Sequence, residues 1–292
     1  MTEDIPLADE VNQVATLTGM ALGAGTQRIF HKIIREMNKP PPRRRTTINV
    51  SRIRHAVAEL NEQAPTTKAI WECTRDSDSP VAINGFNYKN FHDGYRLGDH
   101  WRYIPGFEER VRCNLCKEDE SMEHILLECE SPLAPTRTIW LLAEELCRMK
   151  NIKWPALSYG LVLGCGLLRF RNSKGKYRQG ASRLFKIVVG ESAHLIWKLR
   201  CERVNKMVQN PPSAHHLEEV RNRWIKQINH RLALDKILTN KHRFGPKALK
   251  RAIVLNTWSG TLLNEDRLPN DWVTETGVLV GITCLRPPGR NR

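Results

Sequence analysis

The feature that most constrains this chain is a run of 17 residues that holds three cysteines and a histidine. Cys113, Cys116, His124 and Cys129 follow the spacing C-x2-C-x7-H-x4-C. A C-x2-C pair offers two thiolates to one metal ion, and a histidine with a third cysteine completes the tetrahedral Cys3His set that zinc accepts. Because four protein ligands leave no open coordination position, the pattern predicts one structural Zn2+. The alternative is three buried cysteines and a histidine that stand together by chance.

The spacing also predicts the local backbone of this site. Ser121 is placed to cap a helix that presents His124. Positions five apart in a continuous helix point about 140° apart, so Cys129 must lie at or beyond the end of that helix. Arg112 and Lys117 flank the thiolates, and we expect them to offset the negative charge.

Positive charge is concentrated in one part of the chain. The net charge is +15, and residues 169–251 alone hold 21 Lys/Arg against 5 Asp/Glu, a net of +16. A localised positive field favours a polyanionic partner, most often RNA or DNA bound through its phosphates. The candidate phosphate contacts are Arg169, Arg171, Lys174, Lys176, Arg178 and Arg183.

Two further stretches have more than one interpretation. Arg43, Arg44 and Arg45 follow three prolines, which favour an extended backbone; they are candidate phosphate contacts or a nuclear-import signal, or else a solvated basic linker. Residues 80–112 hold seven aromatic residues interleaved with Lys and Arg. Such a mixture can stack on nucleic-acid bases, or it can form the core of a small domain.

Apolar periodicity predicts a mainly α fold, with a small zinc knuckle followed by a bundle of long helices. We expect helices over 26–37, 49–60, 67–74 and 135–149, then long helices over 181–208, 214–239 and 246–263. The predicted organisation is a disordered segment (1–17), a helical linker region (18–79), a zinc-binding domain (80–150), a basic helical domain (151–282) and a frayed tail (283–292).

Composition points to an intracellular protein. No run approaches the roughly 20 apolar residues of a membrane span, so no membrane partner is expected. The first ten residues are acidic and lack the apolar core of a signal peptide. Five of the eight cysteines are scattered, which is typical of reduced, buried thiols. The arginine run makes the nucleus a reasonable destination.

The sequence offers no persuasive catalytic centre, so we expect a protein that is not an enzyme. It lacks a phosphate-binding glycine loop and a carboxylate cluster for magnesium. Ser192 and His194 lie two apart on one predicted helix and cannot pair as nucleophile and base. Glu191, beside them, is expected to form a buried ion pair with a base such as Arg231.

The stretch from Phe91 to Trp140 contains Tyr95–Trp101 (YRLGDHW), Ile104–Gly106 (IPG), the four Cys/His positions with EHIL around His124, and Trp140. Through these residues it resembles the reverse-transcriptase zinc-binding domain family of non-LTR retrotransposons. In that family the domain commonly follows a polymerase, and often a type-1 ribonuclease H domain. Weaker likenesses to a fungal-type group of ribonuclease H–zinc-binding proteins extend over most of the chain from about Leu17 to Ile282. The residues that carry these weaker likenesses are Thr18–Leu22 with Thr26 and Gln27, which resemble the linker after the ribonuclease H domain, and Gly190–Arg200, Asn256–Trp258 and Leu268–Trp272, which resemble the helical C-terminal extension.

The resemblance implies the four metal ligands but no catalytic residue. About 17 residues precede the likeness, far too few for a ribonuclease H fold with its acidic metal ligands, so we expect that domain and the polymerase to be absent. The leading hypothesis is a noncatalytic, zinc-stabilised nucleic-acid-binding module derived from a retroelement. Two alternatives stay open: an interaction module that docks an acidic protein partner, and the remnant of a ribonuclease or retroelement endonuclease.

Overall fold

A computed structural model describes residues 25–38, 40–206 and 215–282. The predicted mainly α class is confirmed: throughout these ranges the regular elements are helices, and β pairing is limited to isolated antiparallel bridges. The chain forms two units, residues 1–43 and 44–292. The boundaries predicted at 79/80 and 150/151 both fall inside the second unit. The predicted disordered segment and frayed tail lie outside the described residues.

The first unit contains one described helix, α1 (Gln27–Met37), which confirms the helix predicted over 26–37. It starts at Thr26, whose carbonyl accepts from the backbone N–H groups of Ile29 and Phe30. Apolar and basic side chains alternate around the helix, and Ile34 and Met37 are exposed. The first unit therefore presents a short amphipathic helix.

The second unit is built from nine α-helices in its described part. Short 3₁₀ turns and one π turn, His124–Glu128, connect several of them. The α-helices are α2 (Arg44–Asn61), α3 (Thr67–Cys73), α4 (Val81–Phe91), α5 (Pro135–Met149), α6 (Tyr159–Leu163), α7 (Gln179–Lys206), α8 (Leu217–Leu238), α9 (Lys241–Phe244) and α10 (Arg251–Trp258).

Helix α7 is the central element of the second unit. Its 28 residues pack against α5, α8, α10 and the π turn. Gly180 lets its first turn approach α10 closely, because a Cβ there would stand 1.9 Å from the Asn256 carbonyl oxygen. The stripe predicted for this helix is fully confirmed as core: Leu184, Ile187, Val188, Leu195 and Leu199 are all buried.

Three buried tryptophans fix the C-terminal half of the core. Each indole N–H finds a polar partner, as a buried tryptophan requires. Trp224 donates to Ser192 Oγ (2.8 Å), Trp258 to Asp235 Oδ2 (2.8 Å) and Trp272 to Ser259 Oγ (3.2 Å). These bonds lock α7, α8 and α10 to the segment that follows them. None of the helices in the described ranges has the length and apolar character needed to cross a membrane.

Two of the predicted helix boundaries are wrong. The long helix over 246–263 shortens to α10, because the backbone N–H of Leu249 bonds to the Leu238 carbonyl (2.9 Å) and Gly260 adopts a φ of +87°. Helix α2 begins at Arg44, five residues before the predicted start at Asn49. The helix therefore starts almost directly after the three prolines, and residues 44–48 belong to it rather than to a linker.

Candidate metal centre

The first two cysteines lie in a tight backbone turn. Lys117 adopts a φ of +69° and donates its N–H to the Cys113 carbonyl (2.9 Å). The N–H of Cys113 donates to the Glu118 carbonyl (2.7 Å), and Arg112 forms an antiparallel bridge with Asp119. This hairpin brings the two thiols of the C-x2-C pair to the same side of the chain.

A π turn brings the other two ligands together. Ser121 Oγ accepts from the backbone N–H of His124 (2.9 Å), which confirms the predicted cap. The N–H of Cys129 donates to the His124 carbonyl (3.0 Å), the five-residue bond of a π turn. The turn ends at Cys129 with extended dihedrals, so this residue lies at the helix end, as predicted.

Side chains from α5 satisfy the carbonyls of the π turn. Thr136 Oγ1 donates to the Ile125 carbonyl (3.1 Å), and Trp140 Nε1 donates to the Leu126 carbonyl (2.7 Å). These carbonyls are buried, and leaving one unpaired costs about 1–3 kcal/mol. Trp140 therefore supports the backbone that carries His124 and Cys129.

The four side chains converge on one point. Their ligand atoms all lie within 4.8 Å of one another. Sγ of Cys113 and Cys129 are 3.9 Å apart, Sγ of Cys129 and Cys116 3.8 Å, and Cys116 Sγ lies 3.2 Å from His124 Nε2. A tetrahedron with Zn–S bonds of about 2.3 Å has S···S edges of about 3.8 Å. The Cys3His set can hold one metal ion, and its spacing is compatible with zinc.

The thiols influence each other's protonation. Cys113 accepts a hydrogen bond from the thiol of Cys129 and from backbone N–H groups, which together lower the pKa of Cys113. The same hydrogen bond, together with burial, raises the pKa of Cys129. A metal cation at the centre would replace the shared proton and leave all three sulfurs as thiolates.

Helix α7 anchors the knuckle through two arginines that the sequence did not single out. Arg200 pairs with the buried carboxylate of Glu120, and its Nε donates to Glu120 Oε1 (3.0 Å). Arg203 Nε donates to Asn114 Oδ1 (3.1 Å), inside the C-x2-C turn. Both guanidinium groups line the small cavity beside the thiols, whereas Arg112 and Lys117 are exposed.

Gly98 begins a 3₁₀ turn (Gly98–Trp101) that lies close to Glu120 of the knuckle. Its φ is +46°, and a Cβ there would stand 2.2 Å from the Glu120 carbonyl oxygen. We expect Gly98→Ala to destabilise the protein by about 1–3 kcal/mol in urea unfolding, because the backbone conformation is strained and the carbonyl cannot move away. Gly106→Ala is the matched control, since Gly106 also has a positive φ (+82°) but its Cβ would meet nothing within 4 Å. Equal unfolding midpoints for both variants would show that this close approach does not matter.

Four of the predicted phosphate contacts lie on one exposed loop. Asn172 Oδ1 accepts from the N–H groups of Lys174 (3.0 Å) and Lys176 (2.9 Å), which orders the turn. Arg178 is half-buried and donates to the carbonyls of Lys150 and Asn151, so it ties the loop to the end of α5. The exposed members of the set are Arg169, Arg171, Lys174 and Lys176.

The prediction that Arg183 contacts a phosphate is wrong, because its guanidinium is buried. It pairs with Asp235 and Asp78, and each contributes a bond of 2.6 Å. Lys186 and Arg231 add further bonds to Asp78. Burial opposes the ionisation of Asp78, but the hydrogen bonds and charges of Arg183 and Lys186 outweigh it and hold the pKa of this carboxyl below its usual range.

The arginine run and the aromatic stretch each divide into two parts. Arg44 and Arg45 lie in the first turn of α2 and are exposed, and Arg45 pairs with Asp93 (2.6 Å); Arg43 belongs to the first unit. Among the aromatics, Phe86 and Phe91 are core, which supports the packing interpretation for them. Tyr88 and Tyr103 are exposed, Tyr103 at 87%.

The predicted ion pair between Glu191 and Arg231 is wrong. Glu191 is buried, and its carboxylate accepts from Gln227 Nε2 (2.6 Å), while Arg231 bonds to Asp78 and Asp235. Burial raises the pKa of Glu191. A neutral amide on α8 therefore makes the direct contact expected of a base, while the charge of Arg231 lowers the pKa of Glu191 by less than burial raises it.

Comparisons with known proteins assign no role to this site. Models of known protein families, curated proteins and solved structures all give no match to this chain.

Proposed function

We propose that the chain is a noncatalytic nucleic-acid-binding module whose knuckle holds one structural zinc ion. The convergence of four ligand atoms within 4.8 Å carries the metal part of this proposal. Cys113, Cys116, His124 and Cys129 would hold the ion, and the closed set leaves no position for a substrate. The ion would join the C-x2-C turn to the π turn that carries His124 and Cys129. Arg200 and Arg203 would balance the negative charge of the thiolates.

The nucleic-acid part rests on the exposed basic loop. Arg169, Arg171, Lys174 and Lys176 take part in no ion pair with the described residues, so their charge is available to a polyanion. An interior or structural role would place carboxylates beside such a cluster, as the chain does for Arg183. The resemblance to reverse-transcriptase zinc-binding domains of retroelements is in keeping with this function, and a nuclear or other intracellular location would be consistent with it.

The proposal predicts a strong dependence of affinity on salt. Each neutralised phosphate contributes about −0.7 to −0.9 to the slope of log K against log[salt], so about five contacts give a loss of roughly two orders of magnitude between 50 and 200 mM. Fluorescence anisotropy with RNA, DNA and hybrid oligonucleotides over a salt series measures this slope. A parallel series with a zinc chelator shows whether the knuckle is needed.

The same assay separates the alternatives. Binding that is unchanged up to about 500 mM salt, or no binding to any of the three nucleic acids, contradicts the proposal. A stably folded chain without nucleic-acid binding would favour an acidic protein partner. Cleavage of a hybrid or duplex in magnesium would instead indicate a nuclease.

A further inference from the structure

Two long stretches of this chain contain no acidic residue. Residues 146–190 hold ten Lys/Arg and no Asp/Glu, and residues 236–264 hold six Lys/Arg and no Asp/Glu. They are separated in sequence by the second half of α7 and by most of α8, which carry the carboxylates of the basic region. If the two stretches were unrelated, nothing would require them to meet in space.

The two stretches meet at one groove. It has a volume of about 670 Å³, and apart from Ser77 and Asp78 all of its lining residues come from these stretches. This volume is within the range of pockets that take a small organic ligand, such as one or two nucleotide units. The first stretch contributes Leu168, Tyr177, Arg183 and Lys186 among others, and the second contributes Leu238, Lys247, Leu249 and Ile253.

The uncompensated positive charge at the groove is carried by exposed residues, because the largely buried Arg183 and Lys186 of its lining are paired with carboxylates. Asp78, the one carboxylate among the lining residues, is already paired with Arg183 and Lys186. Lys247 is exposed and takes part in no ion pair with the described residues, and the basic loop that carries Tyr177 is exposed as well. These two exposed parts, called the rims below, therefore offer uncompensated positive charge to a polyanion: Lys247 within the lining, and the loop cations next to Tyr177.

The lining between the rims is suited to an aromatic face. Leu238, Leu249 and Ile253 are partly exposed there, and Leu168 is a buried member of the same lining. Tyr177 is 40% exposed, and the guanidinium of Arg169 lies 5.5 Å from its ring centre. An aromatic ring backed by an arginine is the arrangement on which unpaired bases stack.

From these observations we infer that the groove binds a single strand of RNA or DNA, with phosphates along the basic rims and one unpaired base against Tyr177 and the apolar lining. This inference rests on the proposed function and names its ligand. A duplex presents phosphates and base edges but keeps its base faces stacked inside, so it can use the rims and not the lining. A single strand can use both.

The first test compares single-stranded and duplex oligonucleotides of equal length with the full chain in one buffer. We expect the single strand to bind at least about tenfold tighter, because only it gains the stacking contact. A single strand that contains 5-iodouracil should photocrosslink to the peptide that carries Tyr177, as identified by mass spectrometry.

The second test uses variants of exposed groove residues. Tyr177→Ala should weaken single-strand binding by between about 5-fold and 100-fold, whereas Tyr177→Phe should retain most of it. Lys247→Ala should reduce the salt slope by a little less than one, without changing the preference for single strands. Arg137→Ala and Lys226→Ala are the matched controls, since both residues are exposed and neither lines the groove. Circular dichroism melting checks that each variant folds.

The outcomes distinguish the groove from the wider function. The inference about the groove is wrong if single-stranded and duplex oligonucleotides bind with equal, salt-dependent affinity, or if Tyr177→Ala leaves the affinity unchanged. Either result leaves the proposed function standing. Failure of the unaltered chain to bind any nucleic acid removes both. Polyglutamate that binds as tightly as the single strand, and competes with it, would assign the groove to an acidic protein instead.

Discussion

Removal of the metal is expected to lower the melting temperature of the full chain by at least about 10 °C. Structural zinc sites contribute apparent binding free energies of roughly 10–16 kcal/mol at neutral pH, and they form only in the folded state. Part of this is regained when the freed thiols bind protons, and most of the core lies away from the knuckle. In a domain of this size each kcal/mol still corresponds to about 2–4 °C. Calorimetry with and without a strong chelator measures the shift.

Ligand variants give a second measure of the same site. Cys116→Ser should abolish stoichiometric zinc, determined by elemental analysis, and should remove the thiolate absorption of the Co2+-loaded protein. Cys73→Ser is the control, because Cys73 lies outside the Cys3His cluster and should not affect metal content. If the melting temperature is the same with and without chelator, and the purified protein contains no metal, the four residues are reduced thiols and a histidine that merely lie close together.

The second large effect is expected at Asp235, which lies wholly buried at the centre of the second unit. Its carboxylate accepts from both terminal nitrogens of Arg183 (2.6 and 2.9 Å) and from the indole of Trp258 (2.8 Å), and it lies 3.2 Å from Arg231. Asp235→Asn removes the charge but keeps the size, so two arginines lose part of their compensation inside the core. Breaking a buried pair in this way costs about 3–5 kcal/mol, which urea unfolding would detect.

Asp271→Asn is the matched control for this substitution. Asp271 also bonds to an arginine, Arg251, at 2.8 Å, but about half of each side chain is exposed. Solvent screens such a pair, and its removal should change stability by less than about 1 kcal/mol. Similar losses for the two variants would mean that the buried network around Asp235 has no special role in holding the fold.

The metal ligands and the main helices were accessible from the sequence because both depend on local spacing. The predicted helix over 135–149 has the bounds of α5, and the cap by Ser121 is present as expected. Helix periodicity and capping involve residues within a few positions of each other, so a single sequence contains the information. The predicted helix over 246–263 illustrates the limit. The bond from the Leu249 N–H to the Leu238 carbonyl, which lies outside that segment, keeps the first predicted residues out of the helix.

The partners of charged residues could not be predicted, because they come from distant parts of the chain. Arg183 lies in the basic segment and was therefore a candidate phosphate contact. Its partners Asp78 and Asp235 lie 105 and 52 residues away in sequence. Arg200 and Arg203 contact the knuckle from a helix 80 or more residues further on. The acid-free stretches were visible in the sequence, but only the packing of α7 against α8 and α10 brings them to one groove.

Helix α7 places a strict requirement on the length of the chain between its two ends. Arg183 and Lys186 contact the buried network and the groove near its start, whereas Arg200 and Arg203 hold the knuckle near its end. Each residue added to or removed from the intervening turns rotates one end relative to the other by about 100° and shifts it by about 1.5 Å. Point substitutions on its exposed face leave this register intact, whereas any insertion or deletion within it would separate one set of partners or the other.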